Sequence, residues 1–137
     1  MTERSSDSER QRRLNRAYLF QNGFVGLVAL LFLTSALSFW FDPEQLGRTL
    51  GHVPPYDYYW NGFYLIGSVA VLFGLLTRRV GVEAAGHTVL VPGLILNSIV
   101  AAVLLGFHST SFLTLVFGLG AALRAYGLVV GWQEDQR

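Results

Sequence analysis

The sequence contains no cysteine and no lysine, and only 14% of its 137 residues are charged. The absence of cysteine excludes a disulfide framework, a thiolate metal site, an iron–sulfur cluster and thiol-based redox chemistry. The net charge of +1 does not provide the clustered basic face that nucleic-acid binding requires, so no nucleic-acid partner is expected. Several large functional classes are therefore set aside by composition alone.

Apolar residues are what the sequence has in excess, since 52% of it is hydrophobic and the mean hydropathy is +0.41. They form long runs and not the spaced stripes of an amphipathic soluble helix. A helix of about 20 apolar residues crosses the hydrocarbon core of a bilayer. We therefore predict an all-α fold, a four-helix transmembrane bundle within residues 18–132.

Four apolar runs define the predicted spans. Their limits are about residues 18–41, 59–76, 82–107 and 112–132. The polar segment from Asp42 to Asp57 is the one sizeable loop, and the other connections are short, which predicts antiparallel neighbours in up-down-up-down order. Pro92 and Gly93 lie inside the third run, where proline removes a helical hydrogen bond and predicts a kink near Leu90.

Both ends of the chain are polar. Residues 1–17 have too few apolar side chains to form a core, so this leader is predicted to be disordered or to lie on the membrane surface. Arginines before an apolar run also occur in secretory signals, but the run from Gly23 to Phe41 is longer than a signal core, which favours a retained span. Residues 133–137 are predicted to be a hydrophilic cytoplasmic tail.

Charged and aromatic residues predict how the bundle lies in the membrane. The arginines outside the spans fall on one side of the four-span order, except for Arg48, and the positive-inside rule then places both termini in the cytoplasm. The expected location is the cell inner membrane. The second run begins with four aromatic residues whose rings favour the headgroup level and are predicted to be interfacial anchors, namely Tyr56, Tyr58, Tyr59 and Trp60.

Ionisable residues inside the spans are the candidate functional residues, because a charge at mid-bilayer costs about 2.5 to 3.5 kcal/mol and rarely faces lipid. Glu83 and His87 lie one turn apart on one face of the third helix, and Arg124 lies at a similar depth on the antiparallel fourth helix. We predict an ion pair between Arg124 and Glu83, with His87 beside it. The cluster is either a proton or anion site or a structural pair that fixes helix packing.

The remaining polar and small residues give structural predictions. Asn97 and Ser98 are expected to form interhelical hydrogen bonds, although lining a pore is the alternative. Six glycines are expected to permit close helix approach, namely Gly62, Gly67, Gly74, Gly118, Gly120 and Gly127. His52 and His108 have no carboxylates at metal-ligand spacing. No metal site, no cofactor and no catalytic residue is predicted.

Three short motifs carry a resemblance to a known group of proteins. They are Tyr56-Asp57-Tyr58-Tyr59-Trp60 with Gly67, Arg79-Val80-Gly81-Val82-Glu83-Ala84-Ala85-Gly86, and Ala121-Ala122-Leu123-Arg124-Ala125. With them the C-terminal part of the chain resembles small four-span membrane proteins of actinobacterial phages, whose activity is unassigned. The resemblance implies a phage or prophage origin, and it implies no cofactor and no catalytic residue.

The leading functional hypothesis is a non-enzymatic membrane protein that acts by insertion and partner contacts, as a holin-like hole former or a membrane accessory. The alternative is a small transporter or proton-conducting channel that uses Glu83, His87 and Arg124. A third hypothesis is an accessory subunit of a membrane enzyme, similar in size to the four-span DoxX-like proteins. The expected partners are the lipid bilayer and either a second copy of the chain or another membrane protein.

Overall fold

A computed structural model of the chain describes residues 2–42, 55–106 and 109–135. Within these ranges the backbone forms four helices and no strand. They are α1 (Thr2–Phe41), α2 (Tyr56–Thr77), α3 (Val80–Leu105) and α4 (Ser109–Asp135). The predicted all-α bundle of four helices is confirmed. Most of the predicted loop, including His52, lies outside the described residues, as do Phe107 and His108.

Each helix contains a segment that is long and apolar enough to cross a membrane. These segments are Gln21–Phe41, Tyr56–Thr77, Val80–Leu104 and Ser111–Gly131. They differ from the predicted runs by at most three residues at either end. Large apolar side chains such as Leu27, Ile66 and Leu123 are more than half exposed, at 67%, 63% and 73%. A multi-pass membrane protein accounts for this surface, because lipid would cover it.

Helix α1 is much longer than its membrane span. It has 40 residues, which at 1.5 Å per residue extend about 60 Å, twice the ~30 Å of the hydrocarbon core. Residues 2–17, predicted to be disordered or to lie on the membrane surface, are instead helical and continuous with the span. The segment has no core to join, but its glutamate, glutamine, arginine and leucine residues extend an existing helix at little cost. In the same way, residues 133–135 of the predicted tail continue α4.

Consecutive helices pack antiparallel. Phe39 near the end of α1 contacts Tyr58 near the start of α2, with ring centroids 5.0 Å apart. Helices α2 and α3 are joined by a short turn at Arg78, and Ser98 late in α3 donates a hydrogen bond to the carbonyl of Ser111 early in α4. The predicted up-down-up-down order therefore describes the contacts, with α2 against α1 and α3, and α3 against α4.

Glycines bring α2 and α3 into close contact. A β-carbon added at Gly67 would lie 2.6 Å from Cγ of Leu90, and one added at Gly86 would lie 2.9 Å from the carbonyl oxygen of Gly67. One added at Gly93 would lie 2.6 Å from Cβ of Phe63. A side chain at any of these three positions would force neighbouring atoms of the facing helix to shift. Gly93, next to Pro92, therefore allows α2 and α3 to approach closely. The kink predicted for Pro92 and Gly93 stays a prediction.

The six glycines chosen from the sequence divide into two groups. The predicted close approach is confirmed at Gly67 and Gly74, which face α3, and at Gly118, which faces Leu94 at 3.3 Å. The prediction is wrong at three others, where no described atom lies within 4 Å of an added β-carbon, namely Gly62, Gly120 and Gly127. A glycine can face either a neighbouring helix or open space, and only the rotation of its helix decides which.

The turn between α2 and α3 fixes where the polar cluster begins. Arg78 has the left-handed backbone angles φ 55 and ψ 32, and the N–H of Arg79 donates to the carbonyl of Gly74 at 2.9 Å, which closes the end of α2. Helix α3 starts at once at Val80. Because the connection is so short, the first turn of α3 is pressed against the last turns of α2.

Candidate functional site

The position of Glu83 follows from this tight turn. Its N–H donates to the carbonyl of Arg79 at 3.1 Å, within the first turn of α3. A β-carbon added at Gly74 would lie 2.7 Å from Cα of Glu83, so the two backbones touch here. Glu83 is 5% exposed. The backbone contact with α2 therefore places Glu83 inside the bundle.

Arg124 of α4 supplies the opposite charge. Its Nε and Nη2 donate hydrogen bonds to Oε1 of Glu83 at 3.1 Å and 3.0 Å. The Arg124 side chain is 21% exposed and that of Glu83 is 7% exposed. The predicted ion pair is therefore present, and it joins α3 to α4 with charge-assisted hydrogen bonds.

Asn22 of α1 is a member of the cluster that the sequence argument missed. Its Oδ1 accepts a hydrogen bond from Nη2 of Arg124 at 2.9 Å. Arg124 thereby links α1 to α3 and α4 through a single guanidinium group. Asn22 could have been found from its position in the sequence. It is a polar residue at the end of the first run that is predicted to face the cytoplasm, at the depth expected for Arg124.

His87 lies beside the ion pair without joining it by a hydrogen bond. Its Nε2 is 3.6 Å from Oε1 of Glu83, beyond hydrogen-bond distance. His87 is 6% exposed, and neither of its ring nitrogens has a hydrogen-bond partner among the described residues. Leaving a buried polar group unpaired costs about 1–3 kcal/mol, so this imidazole is the unexplained member of the cluster.

Two chemical roles fit this arrangement. Because the charges of Glu83 and Arg124 compensate each other, the pair can hold α3 and α4 together inside an apolar bundle, and Asn22 adds α1. The approach of His87 to the same carboxylate oxygen also gives two proton-exchanging groups at one site. The cluster thus combines an ion pair that joins helices with the side chain of His87, which has no hydrogen-bond partner among the described residues.

Two further interhelical hydrogen bonds are made by polar residues in the second half of α3. Nδ2 of Asn97 donates to the hydroxyl of Tyr64 at 2.8 Å, which connects α3 to α2. Oγ of Ser98 donates to the carbonyl of Ser111 at 2.7 Å, which connects α3 to α4. The predicted interhelical hydrogen bonds of Asn97 and Ser98 are confirmed.

The aromatic residues at the start of α2 lie at the opposite end of the bundle from the polar cluster. Tyr56, Tyr58 and Tyr59 are exposed at 46%, 41% and 59%, and Trp60 is half-buried. Tyr58 packs edge-on against Phe39 and Trp40 of α1, with ring centroids 5.0 Å and 5.8 Å away. Their role as interfacial anchors stays a prediction, and Tyr58 additionally joins α1 to α2.

Asp57 is placed differently from the expectation. The sequence predicts that Asp57 ends the polar loop, but Asp57 lies in the first turn of α2 and is 3% exposed. Its Oδ1 accepts a hydrogen bond from the N–H of Tyr58 at 3.0 Å, and its carbonyl accepts one from Nδ2 of Asn61 at 2.8 Å. A carboxylate at a helix N-terminus is favoured by the unpaired N–H groups there, and this explains the difference.

Within residues 2–42, 55–106 and 109–135, no group of three or more histidine, aspartate or glutamate side chains is arranged to hold a metal ion. No known protein family, no curated protein and no solved structure matches the chain. The features of the described residues that bear on function are therefore the cluster of Asn22, Glu83, His87 and Arg124 and the four helices long and apolar enough to span a membrane.

Proposed function

We propose that this chain is a non-enzymatic protein of the bacterial inner membrane, encoded by a phage or prophage, that acts through membrane insertion and partner contacts. A single observation carries the proposal. Arg124, the only arginine within the four spans, donates hydrogen bonds to Glu83 and Asn22. Its charge serves helix assembly, which leaves the outward faces apolar for lipid and for other membrane proteins. The distribution of arginines supports cytoplasmic termini.

A holin-like hole former is the most specific version of this proposal. Four helices of this length enclose no wide channel by themselves, so a hole requires several copies of the chain. Exposed apolar faces on α1 and α4, with Leu31 at 63% and Leu123 at 73%, offer surfaces for such assembly. The motif resemblance to small phage membrane proteins, whose activity is unassigned, supports a phage or prophage origin and does not favour one version over the other.

Controlled expression in a bacterial host tests this function. Culture density and membrane potential are recorded together, and the amount of inserted protein is followed by immunoblot of membranes. Abrupt depolarisation followed by lysis is expected. Gly67→Leu, which collides with Leu90, should abolish it, whereas Gly62→Leu, with open space around its β-carbon, should retain it.

Well-inserted wild-type protein that leaves potential and growth unchanged would contradict the holin-like version. The accessory version then predicts a stable complex with another membrane protein after purification in mild detergent. Isolation of the chain as a lone homo-oligomer would contradict the accessory version.

Proton conduction is the second candidate, and the position of His87 favours it. The imidazole lies 3.6 Å from Oε1 of Glu83 with unbonded ring nitrogens, an arrangement suited to passing a proton. In proteoliposomes that contain a pH-sensitive dye, wild type should then dissipate a proton gradient, and Glu83→Gln and His87→Gln should not. Equal flux in the wild type and in both correctly inserted variants would exclude this route.

A further inference from the structure

A cleft of about 340 Å³ lies between α1, α3 and α4. It exists because α1 packs closely against α2 only, while its contacts with α4 are made by side chains, among them the rings of Phe32 and Phe117 with centroids 5.7 Å apart. The walls are apolar, with Val28 and Phe32 from α1, Leu90 and Leu94 from α3, and Phe117 from α4. The cleft is thus a space between α1 and the closely packed pair formed by α3 and α4, which α1 meets at few points.

One end of the cleft is polar, where His87 and Arg124 form its lining. His87 is 94% buried, since its exposure is 6%, and its Nδ1 and Nε2 have no hydrogen-bond partner among the described residues. A neutral imidazole has one donor and one acceptor, so it is complementary to a hydroxyl group and can donate to a carbonyl. The buried ring therefore presents unused hydrogen-bonding capacity to the cleft.

The charges already present at the polar end of the cleft determine which kind of ligand head group can bind there. The positive charge of Arg124 is already compensated by Glu83 at 3.0 Å, and Asn22 accepts a further hydrogen bond from the same guanidinium. An anionic ligand would have to compete with the carboxylate of Glu83, and a cationic one would be repelled by Arg124. A neutral head group fits this end of the cleft without breaking the ion pair.

The volume of the cleft and the side on which it opens determine what the rest of the ligand can be. The cleft is about twice the volume of a 150 Å³ apolar cavity that holds benzene, which suits one ring or one alkyl chain and not a two-chain phospholipid. Phe24 and Val116 line the cleft and are 57% and 46% exposed, so it opens on the surface that α1 and α4 present to lipid. A molecule dissolved in the bilayer can enter there without passing through water.

We propose that this cleft binds a neutral, single-chain amphiphile from the bilayer, with its hydroxyl or carbonyl group hydrogen-bonded to His87 and its apolar body between α1 and α4. The inference relies on the four membrane spans, but it goes beyond the proposed holin-like or accessory role and does not depend on that role. A bound molecule of this kind would stiffen the loosest contact in the bundle, because it fills the space that α1 leaves against α3 and α4.

Photolabelling in lipid nanodiscs tests the site on the full chain. The probe is a ten-carbon alcohol with a diazirine in its chain, and labelled peptides are mapped by mass spectrometry. Labels should concentrate on the segments of α1 and α4 that line the cleft. Unlabelled decanol should compete about fivefold better than decane, as one neutral hydrogen bond predicts, and better than decanoate.

Two glycines of α4 provide a matched pair of variants. An added β-carbon meets no described atom within 4 Å at either Gly120 or Gly127, but only Gly120 lines the cleft. Gly120→Phe should therefore abolish cleft labelling, and Gly127→Phe should leave it unchanged. His87→Leu should remove the advantage of decanol over decane.

Four results would overturn the inference. They are labels spread evenly over all lipid-facing helices, equal competition by decane and decanol in the wild type, stronger competition by decanoate, and cleft labelling that survives Gly120→Phe. The competition series uses wild type alone, so it decides the question even if a variant fails to fold. Failure here leaves the result of the expression experiment untouched, because that experiment measures depolarisation and lysis in cells.

Discussion

Arg124 donates two hydrogen bonds to the same carboxylate oxygen of Glu83, from Nε at 3.1 Å and from Nη2 at 3.0 Å. The two residues are on different helices, α4 and α3, and the third helix joins through Asn22, whose side chain accepts from Nη2. In an apolar bundle each residue of such a pair requires the other, because loss of either partner leaves the other charge buried and uncompensated. The stability of the bundle should therefore depend on the pair as a unit.

A Gly74→Ala substitution should destabilise the bundle. The added β-carbon would lie 2.7 Å from Cα of Glu83, and backbone cannot yield as a flexible side chain can. We expect a loss of about 1–3 kcal/mol in the free energy of unfolding, the usual cost of overpacking. Denaturation of purified protein in mixed micelles, followed by circular dichroism, measures the change.

Gly62→Ala is the matched control, on the same helix but facing open space. Alanine is a better helix former than glycine by roughly 0.5–1 kcal/mol, so this variant should be as stable as wild type or slightly more stable. If both variants lose stability equally, the close contact between α2 and the first turn of α3 is not what positions Glu83.

The hydrogen bond between Asn97 and Tyr64 should contribute a small but measurable interaction energy. In membrane proteins such bonds average about 0.6 kcal/mol and reach about 1.7 kcal/mol. We expect a coupling in this range from a double-mutant cycle of Asn97→Leu and Tyr64→Phe. A cycle that pairs Tyr64→Phe with Thr34→Val should give none, because Thr34 bonds to the carbonyl of Leu30 within its own helix. Equal couplings in the two cycles would argue against a specific bond.

The orientation of the chain can be tested with single cysteines, since the natural sequence has none. We expect a membrane-impermeant maleimide to label Asp42→Cys in intact spheroplasts. Ser6→Cys and Gln133→Cys should be labelled only after lysis, because the positive-inside rule places both termini in the cytoplasm. The opposite pattern would reverse the orientation and place the polar cluster at the outer side of the membrane.

The spans were predictable because hydrophobic length is a property of the sequence alone. The depth of Glu83 and Arg124 was predictable for the same reason, since residue counts along antiparallel helices give depth. The rotation of each helix about its axis could not be predicted from the sequence. For this reason the close contacts at Gly86 and Gly93 were missed, and close contacts were wrongly predicted at Gly62 and Gly127. The cleft depends on how far α1 stands from α3 and α4, which no local pattern records.

Residues 2–17 show that a polar segment can be helical without any core of its own. Residues 2–17 have no apolar face to bury, and on that basis disorder was expected. The structure continues α1 through them, because propagation of a helix costs much less than its nucleation and the span beside them is already helical.

The most direct test of the account is a double-mutant cycle of Glu83→Gln and Arg124→Gln, with unfolding free energies measured on inserted, purified protein. Because Arg124 is partly exposed, we expect a coupling of about 1–3 kcal/mol, with each single variant less stable than the double variant. That result would establish that the ion pair contributes to holding α3 against α4, beside the hydrogen bond from Ser98 to Ser111. Single and double variants as stable as wild type would contradict the account, since the cluster would then have no role in holding the bundle together.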